Sequence, residues 1–353
     1  LDADHYGNIL MPICLQKNYS KGVRGEMSIL DEPISPVKLK RVNLLVTKHC
    51  NLRCRMCDYP EFYPKHQEMP SAQIRQIIEE AKMLGAEYLE LSGGEPMMRG
   101  DIFEIISYAK SLGFTVLMVS NGILIGPAEA ERFVKTGLSF ISISMEGPEP
   151  VHDHIRGSGN FQKSLNAIKN LVRFQGTEPY FKVGAGITLS KYNYQFIVPF
   201  SQYLLEEVGI QVISINPFLD DMLAEKNRSS RTEEFNITPD LIPGLTAEIN
   251  QLIKYAACTG YELPAANYLQ RIPEYFSGHK PIPPGGCHLP EKFCGISTDG
   301  RVHACWKNPP VGHLGETSLI KIFHSPRYLE FRERALAGKC TGCLTACFAE
   351  IYS

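Results

Sequence analysis

The chain has 353 residues, of which 44% are hydrophobic and 21% charged, and its acidic and basic residues nearly cancel to a formal charge of -2. That is enough to bury a full core and argues against a disordered chain. The balance of charge gives no electrostatic reason to expect a nucleic-acid or anionic-membrane partner. No apolar run approaches the roughly 20 residues of a membrane span, and no basic stretch followed by an apolar signal core opens the sequence, so a cytoplasmic location is expected.

Residues 1–40 show no sustained period and read as an irregular lead-in. From Val42 onward strands and helices alternate. Val42–Thr47, Tyr88–Leu91, Thr115–Val119, Phe140–Ser144, Phe181–Thr188 and Val212–Ile215 read as short buried strands. Between them, Ala72–Leu84 places Ile74, Ile77, Ile78, Ala81 and Leu84 on one face, and similar patterns occupy Ile102–Leu112, Ala128–Lys135, Phe161–Phe174 and Tyr194–Val208. Such alternation predicts an α/β fold with a parallel sheet, whose ligands gather at the carboxyl ends of the strands. Six units are too few for a closed eight-stranded barrel, so residues 41–216 are expected to form a partial (β/α)6 barrel. Residues 217–286, with a charged stretch over Asp220–Glu234, a helix over Asp240–Ala257 and several prolines, read as a linker or substrate-contacting insert. Residues 287–353 read as a small cysteine-rich α+β domain.

Eleven cysteines are too many for a reducing compartment unless they bind metal or react. Three lie between positions 50 and 57, six between 287 and 347, and Cys14 and Cys258 stand alone, which suggests two metal centres. The loop after the first strand carries Cys50, Cys54 and Cys57 in the spacing C-x3-C-x2-C. A structural zinc site wants four closed ligands, and His49 or His66 could supply the fourth; three thiolates on a four-iron cluster leave one iron open for catalysis.

This loop resembles the signature of the radical S-adenosylmethionine superfamily, and the likeness covers residues 42–215. The resemblance implies that S-adenosylmethionine chelates the open iron through its amino and carboxylate groups, and that an electron from the cluster cleaves it to a 5′-deoxyadenosyl radical. Many members have an aromatic residue before the third cysteine. Here it is Met56, whose thioether can also pack on an adenine ring. Ser92-Gly93-Gly94-Glu95-Pro96 resembles the family's GGEP motif, which implies that Gly93, Gly94 and Glu95 contact the methionine amino group. Two adjacent glycines let a backbone edge approach a ligand, although a Gly-Gly after a strand also serves as a plain turn. By the same resemblance Ser120, Asn121 and Ser144 are candidates for the ribose and carboxylate, and Arg156 for the methionine carboxylate through its planar fork. Capping and a surface ion pair are the alternatives for these residues.

Cys287, Gly300 and Cys305 follow the spacing C-x12-G-x4-C, and Cys340 and Cys343 follow as C-x2-C. Gly295–Ala304 has the rhythm of a hairpin turning at Asp299-Gly300. The arrangement, with the segment from His313 through Arg332, resembles the Twitch and SPASM auxiliary-cluster domains, Twitch with its single cluster being the better fit. Cys287, Cys305, Cys340 and Cys343 are then the expected ligands, with Cys294 and Cys347 as spares and a structural zinc as the alternative. The expected cofactors are S-adenosylmethionine and two [4Fe-4S] clusters, one catalytic and one auxiliary, and a flavodoxin, ferredoxin or reductase would supply the electron.

A second cluster suits hydrogen abstraction from a small molecule followed by electron removal, a net dehydrogenation. An epimerase returning hydrogen from Cys258, Cys294 or Cys347 is the alternative, although buried free cysteines more often only pack. Peptide modification such as thioether formation is a third reading, weakened by an N-terminal stretch of about 40 residues that is short for a leader-binding domain. Heme side-chain chemistry fits as well, since no motif tells porphyrins from sugars. An iron–sulfur or zinc protein that only binds or carries electrons would need neither GGEP nor the polar strand ends.

Overall fold

The computed structural model describes residues 38–58, 68–175, 181–219, 225–283 and 285–345. Cys14, His66 and Cys347, and almost all of the expected lead-in, lie outside them. Six strands, β1 (Arg41–Thr47), β2 (Tyr88–Gly93), β3 (Thr115–Ser120), β4 (Phe140–Ser144), β5 (Lys182–Leu189) and β6 (Val212–Pro217), pair in sequence order. Every one of these pairings is parallel. Their apolar content follows from burial on both faces, since helices cover the sheet. The crossovers are α1 (Ser71–Met83), α2 (Ile102–Ser111), α3 (Pro127–Thr136), the pair α4 (Glu149–Arg156) and α5 (Asn160–Val172), and α6 (Ile197–Gln202). In α1 the residues Ile74, Ile77, Ile78 and Ala81 are buried, as the spacing predicts. The result is the expected partial barrel.

Two local departures have physical causes. The expected single helix over 194–208 is divided into a 3-10 turn (Tyr194–Phe196), α6, and a π-helical turn (Tyr203–Val208), with Pro199 in the first turn of α6 and Gly209 in the left-handed region ending the π turn. Helix α4, unassigned from sequence, starts after Pro148 with Pro150 at its second position and stops at Gly157, whose φ is +104°. Eight residues give too little periodicity to register.

Beyond β6, the chain forms α7 (Glu225–Phe235) and α8 (Ile242–Thr259). Helix α8 buries Leu245, Ile249 and Leu252, and the hydroxyl of Tyr268 donates to the carbonyl of Ile215 at 3.1 Å. This region therefore packs along the β6 end of the sheet.

At the other end of the sheet, β7 (Phe293–Ile296) pairs in parallel with β1, matching Arg41 to Phe293 and Leu44 to Ile296. It then turns at Gly300 into antiparallel β8 (Arg301–His303), the expected hairpin, and β9 (Gly312–His313) closes a nine-stranded sheet. The only tryptophan fixes this joint: Trp306 Nε1 donates to Asn43 Oδ1 at 3.1 Å, and its ring lies over Gly295, where a Cβ would come within 2.6 Å. Buried Lys48 donates to Asp299 Oδ2 at 3.2 Å, tying the loop after β1 to the hairpin turn. Helices α9 (Leu319–Phe323) and α10 (Pro326–Leu336) complete the C-terminal region, with Ser318 and Ser325 capping their first turns.

Candidate active site

Parallel pairing places the loops that follow β1, β2, β3 and β4 at one edge of the sheet. The cysteine loop turns tightly there, the amide of Cys57 donating to the carbonyl of Cys54 at 3.0 Å and that of Leu52 meeting Cys50 Sγ at 3.5 Å. Burial raises the pKa of both the Cys50 and Cys54 thiols, and the Arg156 charge offsets part of this. A cationic metal centre bound at these sulfurs would stabilise the thiolate form against that burial.

The Gly93-Gly94 pair serves the backbone of that loop. The amide of Gly94 donates to Thr47 O and that of Glu95 to His49 O, each at 2.8 Å. A Cβ on Gly93 would sit 2.3 Å from Thr47 O, and one on Gly94 would sit 2.3 Å from His49 O. Both glycines thus lie against the backbone at the start of the cysteine loop. Glu95 is 1% exposed and turns inward. Its carboxylate accepts from Ser120 Oγ at 2.8 Å, the Asn121 amide at 2.7 Å and the Met97 amide at 3.1 Å, bracing the end of β2 against that of β3. Burial raises its pKa in spite of these donors.

Asn121 directs its side-chain amide at Asn51 Oδ1, 2.7 Å away, and toward Cys50 Sγ at 4.0 Å, so the end of β3 also meets the cysteine loop. Ser144 is half-buried at the end of β4. Met56 packs against a satellite cluster of Ile155, Phe218 and Phe235 that joins the loop to α4 and α7. Arg156 is held by Glu146, with Nε at 2.8 Å and Nη2 at 2.6 Å from Oε1, and its Nη1 lies 3.9 Å from Cys54 Sγ.

Behind Glu146, the fully buried His152 accepts the Glu146 amide on Nδ1 at 3.2 Å, which puts its proton on Nε2. Burial, assisted by Arg156 against the weaker pull of Asp153, lowers its pKa from 6.5 to about 3. The folded chain refuses a proton that the unfolded chain takes up as pH falls below 6.5, so the stability present at pH 7 is lost by up to about 1.4 kcal/mol per pH unit toward pH 3. The fall in Tm between pH 7 and 5 is accordingly expected to be smaller in His152→Gln than in the parent, and equal falls would show that His152 does not carry the effect.

At the C-terminal site, the Cys287 amide donates to Ala335 O at 2.8 Å and that of Cys343 to Pro281 O at 3.1 Å. Gly286 and Gly342 have positive φ, and a Cβ on either would strike a carbonyl oxygen, of Leu336 at 1.9 Å and of Lys280 at 2.2 Å. These contacts seat the two cysteine segments. Cys305, Cys340 and Cys343 each lie near enough to Cys287 for a charge on them to raise its pKa, and Cys340 and Cys343 act on Cys305 in the same way. Burial pushes Cys287 up to about 12 and Cys305 to about 11. Cys294 instead points into the core from β7, fully buried and pushed up to about 12, while Cys258 is exposed at the end of α8. Among the described residues no three Cys, His, Asp or Glu side chains close on one point as a single ion requires; a cubane, with its thiolates on separate irons, needs them spread around a larger body. Two sets of soft donors, half-buried apart from the buried Cys54, fit such clusters.

Comparison with known proteins agrees with this division. A family model described as the radical SAM superfamily matches residues 44–191, and one described as an iron–sulfur cluster-binding domain, SPASM, matches residues 287–344. An AdoMet-dependent heme synthase of Nitratidesulfovibrio vulgaris is 36% identical over 148 residues, 40% of this chain and 39% of that protein. One from Oleidesulfovibrio alaskensis is 27% identical over 321 residues, covering 84% and 78%. Mycofactocin maturase MftC of Mycobacterium tuberculosis is 33% identical over 127 residues, 36% of this chain and 32% of the maturase. Among solved structures, Streptococcus suis SuiB bound to its precursor peptide SuiA superposes with a TM-score of 0.66 at 15% identity, over 87% of this chain and 72% of SuiB. The protein anSMEcpe with bound AdoMet does so with 0.64 at 15% identity, over 89% and 94%. At such identities the likeness is one of fold.

Proposed function

Because this chain belongs to the radical S-adenosylmethionine superfamily and carries an iron–sulfur cluster-binding domain of the SPASM type, we propose that it oxidises an organic substrate by hydrogen abstraction followed by electron removal. Its family implies [4Fe-4S] clusters and S-adenosylmethionine. When bound, they supply a 5′-deoxyadenosyl radical, and an auxiliary cluster supplies an acceptor for one electron. Cys50, Cys54 and Cys57 would hold the catalytic cluster. Gly93, Gly94 and Glu95 seat that loop, and Ser120, Asn121 and Ser144 line the edge where S-adenosylmethionine would lie.

The observation that carries the reading is the pairing of β7 with β1. It joins the hairpin between Cys287 and Cys305 to the strand that leads into the first thiol set, which supports an electron acceptor built onto the same sheet as the site of hydrogen abstraction. The long match to a heme synthase supports a tetrapyrrole as the first substrate class to try. The match to a maturase supports a peptide as the second. Epimerisation through Cys258, Cys294 or Cys347 is the competing outcome. No described helix is long and apolar enough to cross a membrane, and flavodoxin or ferredoxin is the proposed electron source.

The test is the mass of the product formed anaerobically in deuterated solvent from each substrate class. A loss of two hydrogens, or of a larger fragment with net oxidation, is the expected result. Unchanged mass apart from one incorporated deuterium would replace oxidation by epimerisation.

A further inference from the structure

Helix α4 is fastened to the cysteine loop from two sides. The Arg55 amide donates to Ile155 O at 2.8 Å, and Met56 packs on the cluster of Ile155, Phe218 and Phe235. The next residue, Arg156, ends the helix, so its guanidinium has a fixed position relative to Cys54. Glu146 is 0% exposed and equally fixed: its Oε2 accepts the Thr188 amide at 2.9 Å and its carbonyl accepts from Asn193 at 2.8 Å. Burial alone would lower the pKa of Arg156, but Glu146 and the Cys54 and Cys57 thiols more than offset this and raise it. A buried ion pair is often no more stabilising than apolar residues of the same volume. Stability is therefore a weak reason for keeping one beside a cysteine whose thiolate would carry iron.

We propose that Arg156 and Glu146 set the reduction potential of the cluster on Cys50, Cys54 and Cys57, Arg156 by placing a positive charge and an N–H donor 3.9 Å from Cys54 Sγ and Glu146 by holding and partly neutralising it. This rests on the assignment of the catalytic cluster to those three thiols. Reduction adds one negative charge to a cluster, and donors and cations near its sulfurs favour the reduced state. Arg156 favours it and Glu146 opposes it. The two residues therefore act in opposite directions although they share one ion pair.

The test is a redox titration of the full-length, reconstituted protein followed by electron paramagnetic resonance, the catalytic cluster being the one whose signal changes when S-adenosylmethionine is added. Arg156→Gln is expected to lower its potential and Glu146→Gln to raise it. Each should change the oxidised-to-reduced ratio at the parent midpoint by at least about tenfold. S-adenosylmethionine affinity, read by equilibrium binding, should be little changed. A merely structural pair would give shifts of one sign or none, and either result overturns the proposal. So would an unmoved potential in Arg156→Gln with tenfold weaker S-adenosylmethionine binding, the result for a carboxylate clamp. If Arg156→Gln loses its iron, Glu146→Gln decides alone: a raised potential supports the proposal and any other result overturns it. Failure of the cluster assignment would show separately, as iron at the catalytic site that survives loss of all three cysteines.

Discussion

Replacing Cys50, Cys54 and Cys57 together by alanine is expected to remove about four irons per chain, one cubane, and to abolish 5′-deoxyadenosine formation, while the C-terminal thiols keep their own iron. The two losses should separate because the sites are held by different parts of the chain. The N-terminal set depends on the loop after β1, on Gly93 and Gly94 beneath it, and on α4 beside it. The C-terminal set is seated by backbone bonds to Ala335 and Pro281, none of which involves residues 50–57. Iron and sulfide counts on anaerobically reconstituted protein make the measurement. Should the variant keep no iron while the parent holds a single cluster, the auxiliary site does not bind one, and oxidation through it must be withdrawn.

The barrel was legible because parallel strands buried on both faces read as short apolar runs, and the helices between them carry a clear stripe, as Ile74, Ile77, Ile78 and Ala81 show. Cysteine spacing pointed to the first donor set for a similar reason: a short loop can bring its own ligands together. Contacts between distant segments left no such trace. Nothing in the local pattern says that Phe293–Ile296 pairs with β1, since four apolar residues fit many partners. Nor does it show that Arg156 meets Glu146 across the turn into α4, or that the Glu95 carboxylate accepts from Ser120 and Asn121. The signal for Glu146 was present in one respect. An acidic residue two positions past the end of a strand and followed by Gly147, here at φ +147°, marks a carboxylate near the strand end, where a cation must meet it if it is buried.

Loss of the auxiliary thiols is expected to have the opposite signature from loss of the first set. With Cys287, Cys305, Cys340 and Cys343 replaced, S-adenosylmethionine cleavage should continue, because the loop after β1 and its supports are untouched. Oxidised product should fall by more than about 100-fold, equivalent to roughly 2.7 kcal/mol of barrier, because the electron left on the substrate has no acceptor. Four half-buried cysteines are also part of a packed region, so the single change Cys305→Ser serves as the milder variant, and the exposed Cys258→Ser as the control that should alter neither reaction. The quantity to measure is the ratio of 5′-deoxyadenosine to product. A ratio near one in the parent that rises steeply in Cys305→Ser places the second site on the path of the electron. A parallel fall of both would mean that the C-terminal region acts by supporting β1, through the Trp306–Asn43 and Lys48–Asp299 contacts, and not by accepting charge. Trp306→Phe then distinguishes the two roles: it removes the Asn43 bond while leaving all four thiols in place, and under the electron-transfer reading it leaves the ratio unchanged.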